Sequence, residues 1–179
     1  MFLDLEQHQY ETDIIPFIRN GIIIDTSVLD ILIDGIINSR IGNKKTLEFQ
    51  RILDFLDLMK VSNQWEKFFI TPHILTEVCN HFRGKYSKRD DYKKIVGEVM
   101  PIIETMQENV VRKNSITQLI DFKNPVIEIG DMSIFVTADD FINSGRQVAI
   151  LSNDRIMNSK YQDHKKVMIM DYQSVILNS

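Results

Sequence analysis

Gly21-Ile22-Ile23-Ile24-Asp25, followed at once by Thr26 and Ser27, decides how the rest of the chain reads. Three consecutive β-branched residues between a glycine and a carboxylate do not alternate apolar with polar. The run therefore predicts a strand covered on both faces, as strands in parallel sheets are. Asp25 ends the apolar run, and Thr26 or Ser27 supplies a capping hydroxyl for a helix carrying Val28, Leu29, Ile31, Leu32 and Ile33, expected to stop at Gly35 or soon after. The opening unit is strand, acid, helix.

The same grammar repeats outward from it. Phe49, Ile52, Leu53, Leu56 and Met59 fall at helical spacing and predict a helix from about Thr46 to Val61. Phe68 to Thr71 reads as a short strand, with Thr71 as cap and Pro72 in the first turn of a helix bearing Ile74, Leu75, Glu77 and Val78. Ile95, Val99, Ile102, Ile103, Met106 and Val110 predict a helical region from about Lys88 to Val111, kinked or broken at Pro101. Asp131 follows Gly130 at the start of a helix with Ile134, Phe135, Ala138, Phe141 and Ile142 on one face and Gly145 at its end. Gln147 to Leu151 and Val167 to Met170 complete the strands, the first running straight into Ser152-Asn153-Asp154. Alternating strands and helices predict an α/β sandwich with a mostly parallel sheet. With 179 residues, no repeat and no linker, the chain reads as one domain over 1–179, with an N-terminal extension at 1–20 and a helical insertion at about 83–125.

Composition narrows the class of partner. The chain is 44% hydrophobic and carries a formal charge of -4, which excludes a histone-like or ribosomal coat; a polyanion must be held locally or through a metal. Cys79 stands alone and cannot close an internal disulfide, and four scattered histidines make no structural zinc site, so a reducing, cytoplasmic compartment is expected. No apolar run reaches the roughly 18 to 20 residues of a membrane span. The opening MFLDLEQHQYETD is acidic and polar, unlike a secretion signal.

In open parallel sheets the binding crevice lies beyond the carboxyl ends of the strands. Asp25 ends the first strand, Asp154 follows the strand that ends at Leu151, Asp131 opens a helix and Glu77 lies within about two turns of another helix start. Four carboxylates at one edge repel each other unless a divalent cation neutralises them, and Mg2+ or Mn2+ favours oxygen ligands while keeping waters for reaction. Taken singly, Asp25 also fits a helix cap, Asp131 an acid favoured by a helix dipole, Asp154 a turn residue and Glu77 a solvated helix face. Asp139 and Asp140 read as surface acids. The segment 83–94 places Arg83, Lys85, Lys88, Arg89, Lys93 and Lys94 against Asp90 and Asp91, with Tyr86 and Tyr92 interleaved; it suits contact with an RNA backbone and stacking on bases, and equally a solvated helix face. Cys79 and His81, two apart on a helix, point to different sides and read as packing residues.

Four short motifs carry a resemblance: Ile-Asp-Thr-Ser-Val-Leu at 24–29, Thr-Glu-Val around Glu77, Gly-Asp-Met-Ser-Ile at 130–134 and Leu-Ser-Asn-Asp-Arg at 151–155. In this order and context, spanning about Gly21 to Ile176, they resemble the PIN-domain ribonucleases, which include the VapC-type toxins of bacterial toxin/antitoxin pairs. The resemblance implies a three-layer α/β/α fold and metal-dependent hydrolysis of RNA phosphodiesters. It places Asp25, Glu77, Asp131 and Asp154 as the catalytic and metal-binding acids, with Thr26 and Ser152 as supporting polar positions. It further implies Mg2+ or Mn2+ as cofactor, a homodimer, and an antitoxin or other protein partner. The first twenty residues and the helical stretch between Glu77 and Asp131 make the chain bulkier than the minimal toxin form. A non-catalytic PIN-like module binding RNA or a protein is the alternative. A haloacid dehalogenase type of phosphatase needs a second Asp two residues after the first, where this chain has Ser27.

Overall fold

The structure, a computed structural model, describes residues 13–119 and 128–173. Strand β1 (Ile22–Ile24) is buried at every position and pairs in parallel with β2 (Phe68–Ile70) on one side and β4 (Val148–Leu151) on the other. β3 (Gln107–Glu108) extends the sheet beyond β2 and β5 (Val167–Met170) extends it beyond β4, giving the order β3-β2-β1-β4-β5 with every pairing parallel. Parallel neighbours require crossovers, which helices supply. They are α1 (Thr26–Arg40) and α2 (Leu47–Leu58), α3 (Pro72–Tyr86) and α4 (Tyr92–Thr105), α5 (Lys113–Thr117) and α6 (Ile129–Asn143), and α7 (Arg155–Tyr161). The architecture is the expected α/β/α sandwich, with the apolar strands β1 and β4 wholly buried between helices. The chain leaves β1 in one direction to β2 and β3, and returns to its other side with β4. A cleft opens at the carboxyl ends of strands where the order reverses in this way.

Most local signals act as read. Thr46 and Thr71 cap α2 and α3 through their hydroxyls, and Pro72 occupies the first turn of α3. Four details differ. The cap position of α1 is Asp25 itself, whose side chain makes no capping bond. α1 does not stop at Gly35 but continues to Arg40, because Gly35 is where α2 packs on it: a Cβ there would stand 2.0 Å from the Phe49 ring. α4 runs through Pro101 unbroken to Thr105; Pro101 and Gly97, whose carbonyl loses its helical partner, are both exposed, so solvent takes up the lost bond.

The fourth difference is β3. Met106 is extended, Gln107 and Glu108 pair with Phe69 and Ile70, and Val110, expected on a helical core face, is 70% exposed. The predicted insertion at 83–125 therefore contains a strand, and its residues 120–125 lie outside the described ones. Of the predicted extension at 1–20, residues 1–12 lie outside the described ones, and Ile14 and Ile18 are buried in the main core. No helix of the described residues is long and apolar enough to cross a membrane.

Gly35→Ala is expected to destabilise the protein. Overpacking of this kind costs about 1–3 kcal/mol, which exceeds the helix-propensity gain of about 1 kcal/mol. The urea unfolding midpoint should fall; an unchanged midpoint would mean that α1 and α2 separate freely at this contact.

Candidate functional site

A cavity of about 560 Å³ is lined by Asp25, Glu77, Asp131 and Asp154 together. Asp25 leaves β1 and Asp154 follows β4, so the cavity lies beyond the carboxyl ends of adjacent strands. Each acid reaches it by a different route.

Asp25 is only 7% exposed, and its Oδ2 accepts hydrogen bonds from the hydroxyls of Ser152 at 2.7 Å and Ser27 at 3.0 Å. Ser152 is fully buried where β4 ends, and its Oγ also accepts the backbone N–H of Asp154 at 3.0 Å. One serine thus ties two of the acids to each other. Asp154 caps α7 by accepting the Ile156 N–H on Oδ1 at 2.7 Å, so its turn role and its place in the cavity coexist.

Glu77 faces α1, where the Thr26 hydroxyl donates to its Oε2 at 2.8 Å. Gly130 makes room for it: a Cβ on Gly130 would come within 2.8 Å of the same oxygen. The first turns of α3 and α6 are locked by a buried relay. Thr71 and Ser133 hydroxyls stand 2.7 Å apart, and Ser133 donates to the Gly130 carbonyl at 2.6 Å, so the Thr71 hydroxyl is the donor to Ser133. This relay brings the helix of Glu77 to the helix of Asp131. Asp131 sits in the first turn of α6, accepting the Glu128 N–H at 3.4 Å.

Burial raises the Asp131 carboxyl to about 6, and the charges of Asp25, Asp154 and Glu128 add to the rise while the Glu128 N–H opposes it. Acids crowd at this point. Among the described residues, however, no three His, Cys, Asp or Glu side chains are arranged so that they could hold a metal ion. The carboxylates frame the cavity rather than closing on one point.

Five polar lining residues were not assigned to the site from the sequence: Ser27, Asp30, His81, Glu128 and Asn153. His81 and Cys79 are exposed, not packing residues, and His81 Nδ1 lies 2.5 Å from Asp30 Oδ2. The recurrence of polar residues four apart, Thr26 with Asp30 and Glu77 with His81, was the available signal.

None of the six basic residues at 83–94 lines the cavity. Lys85 pairs with Asp34, and Arg89 grips Asp91 at 2.8 and 3.0 Å, while Arg83, Lys88, Lys93 and Lys94 are exposed. Tyr86 is buried and donates to Asp34 at 2.6 Å, and Tyr92 packs on Phe82 with ring centres 5.7 Å apart. Tyr86 thus serves the core, and Tyr92 packs at its margin. Asp140 is exposed as expected, whereas Asp139 is half-buried beside the Tyr161 hydroxyl.

The raised Asp131 gives a stability signature. Its folded value lies above its unfolded one, so ionisation at neutral pH opposes folding; the penalty appears as pH rises from about 4 to about 6 and is absent below. Asp131→Asn should therefore stabilise the metal-free protein by about 1–2 kcal/mol at pH 7.5, allowing for solvent screening of a half-exposed group, and not at pH 4. Thermal unfolding in EDTA at both values checks this; an equal effect at both would remove the electrostatic account.

The sequence matches no protein-family model and no curated protein. Among solved structures, it is similar to the crystal structure of PAE2754 from Pyrobaculum aerophilum, with 14% identity, a TM-score of 0.47, and coverage of 88% of this chain and 95% of that one. At that level the likeness carries no argument about function.

Proposed function

We propose that the protein is a metal-dependent ribonuclease that hydrolyses RNA phosphodiester bonds in the acidic cavity. One observation carries this reading: Asp25, Glu77, Asp131 and Asp154, borne on four separate segments, line a single cavity beyond the carboxyl ends of β1 and β4. Nothing in a stable fold calls for four carboxylates to meet there, and their mutual repulsion works against it.

The donor set fits a hard divalent cation. It offers carboxylate and hydroxyl oxygens without a thiol, the chemistry that Mg2+ or Mn2+ selects. Since the acids do not close on one point, Asp25, Asp131 and Asp154 would hold the ion partly through its own waters, as Mg2+ allows. When bound, such an ion supplies an acidified water and charge opposite the phosphate. The protein's share is orientation. Ser27 and Ser152 fix the Asp25 carboxylate, Thr26 fixes Glu77, and the cap on Ile156 fixes Asp154. Asp131, crowded by its neighbours, would gain from an arriving cation.

The exposed Arg83, Lys88, Lys93 and Lys94 suit an RNA backbone running outside the cavity, with binding that weakens as salt rises. The resemblance of the four motifs extends the proposal to a cytoplasmic toxin, a homodimer restrained by an antitoxin. The non-catalytic RNA- or protein-binding module stands as a second reading because the acids do not form a closed ion site.

Cleavage of structured and unstructured RNA with Mn2+, Mg2+ or EDTA separates the two. Wild type is expected to cut only with metal, and Asp25→Asn and Asp154→Asn to lose at least about a hundred-fold. Asparagine keeps the accepting oxygen in both places, and at 154 it still caps the helix, so the loss would report charge rather than unfolding. RNA binding without cleavage by wild type would favour the module.

A further inference from the structure

α1 and α3 leave adjacent parallel strands in the same direction, and polar pairs join them at a constant offset of 51 residues. Thr26 meets Glu77, Asp30 meets His81 and Asp34 meets Lys85, each pair one helical turn beyond the last. The first two pairs line the acidic cavity and the third does not. Along this ladder the second rung inverts the first, with the acid on α1 and the nitrogen base on α3. Among the residues lining the cavity, His81 is the one side chain that can carry positive charge.

We propose that His81, held by Asp30, is the proton donor to the leaving oxygen of the phosphodiester. The inference rests on the nuclease reading above. Its ground is placement: Nδ1 is engaged by Asp30 at 2.5 Å, which leaves Nε2 as the nitrogen for substrate, and the imidazole is 62% exposed at the cavity. A carboxylate on one ring nitrogen fixes the tautomer and orientation of the ring, as it does in other acid/base histidines. The hydrogen bond to Asp30 raises the His81 value, the charges of Asp30 and Glu77 add to this, and slight burial opposes it, so more of the ring is cationic near neutrality. Asp30 in turn feels Asp34 and Lys85, the charges of the next rung.

In the step itself, a water oxygen bonds to phosphorus as the bond from phosphorus to the leaving ribose oxygen breaks, its electron pair passing to that oxygen. The Nε2 proton of His81 moves onto it. The attacking water releases a proton to solvent, and the neutral imidazole takes one back from solvent. The net change is one water added across one ester bond. Asp30 is a positioning residue in this step.

A surface ion pair that only fastens α1 to α3 is the plainer account of the same contact, and is worth little in stability. Two substrates distinguish them: RNA, whose leaving alkoxide needs a proton, and bis(p-nitrophenyl) phosphate, whose phenolate leaves without one. His81→Gln is expected to lower kcat on RNA about a hundred-fold with KM little changed, and to lose less than about ten-fold on the activated diester. Asp30→Asn should move the alkaline fall of the RNA rate to lower pH, matching a lowered His81 titration followed by NMR in the metal-free protein. Equal losses of His81→Gln on both substrates, a change in KM alone, or an unmoved titration in Asp30→Asn would each overturn the role while leaving the nuclease reading in place. A wild type inactive on both substrates with either metal would overturn the two together.

Discussion

The hydroxyl of Ser152 holds a carboxylate inside the protein. Asp25 ends a strand that is buried on both faces, and an acid at 7% exposure is costly unless its oxygens find donors. Ser152 and Ser27 supply them, and the parallel register that pairs Ile24 with Leu151 brings Ser152 beside Asp25. Everything else at the cavity is referred to that pair. Asp154 is fixed by its N–H to the same serine, and Thr26, next in sequence, orients Glu77. A sheet slipped by one residue would point Ser152 the wrong way and leave Asp25 unmatched.

The cavity is also where the molecule departs from what stability alone would select. The main core mixes aliphatic and aromatic side chains, and the buried hydroxyls beside it are partnered: Thr71 to Ser133, Ser133 to Gly130 and Thr137 to the Ser133 carbonyl. The same relay that satisfies those hydroxyls presses Glu77 against Gly130 and delivers Asp131 into the field of three other acids, Asp25, Asp154 and Glu128. Those hydroxyls are matched, whereas the cavity concentrates like charge.

How much of this was legible depended on whether a residue's role is set by its neighbours in sequence or across space. The buried strand at Ile22 to Ile24, the Thr71 cap before Pro72 and the acids following β1 and β4 are local patterns, and they read directly. β3 did not, since Gln107 and Glu108 carry no strand pattern and are extended only because β2 has an open edge beside them. Gly35 reads as a helix stop until Phe49 lies against it, and Pro101 reads as a break until its turn proves to face solvent. In the cavity, the four acids were found through their motifs. Asp30 was passed over and His81 was read as a packing residue, because nothing local to either marks a partner; their pairing exists only once α1 and α3 lie side by side.

The ladder between those two helices has a further consequence for how such a chain can change. Its offset of 51 is a property of the connecting chain between α1 and α3, whereas its contacts depend only on the turn-by-turn phase within each helix. Residues added to the loops after Arg40 or Leu58 would alter the count and leave every rung intact. One residue added inside α1 between Thr26 and Asp30 would rotate the rest of that helix by about 100°, carrying Asp30 and Asp34 away from their partners while Thr26 stayed put. Length is thus free to drift in the loops, while the spacing inside the helices is held to whole turns by the site they frame.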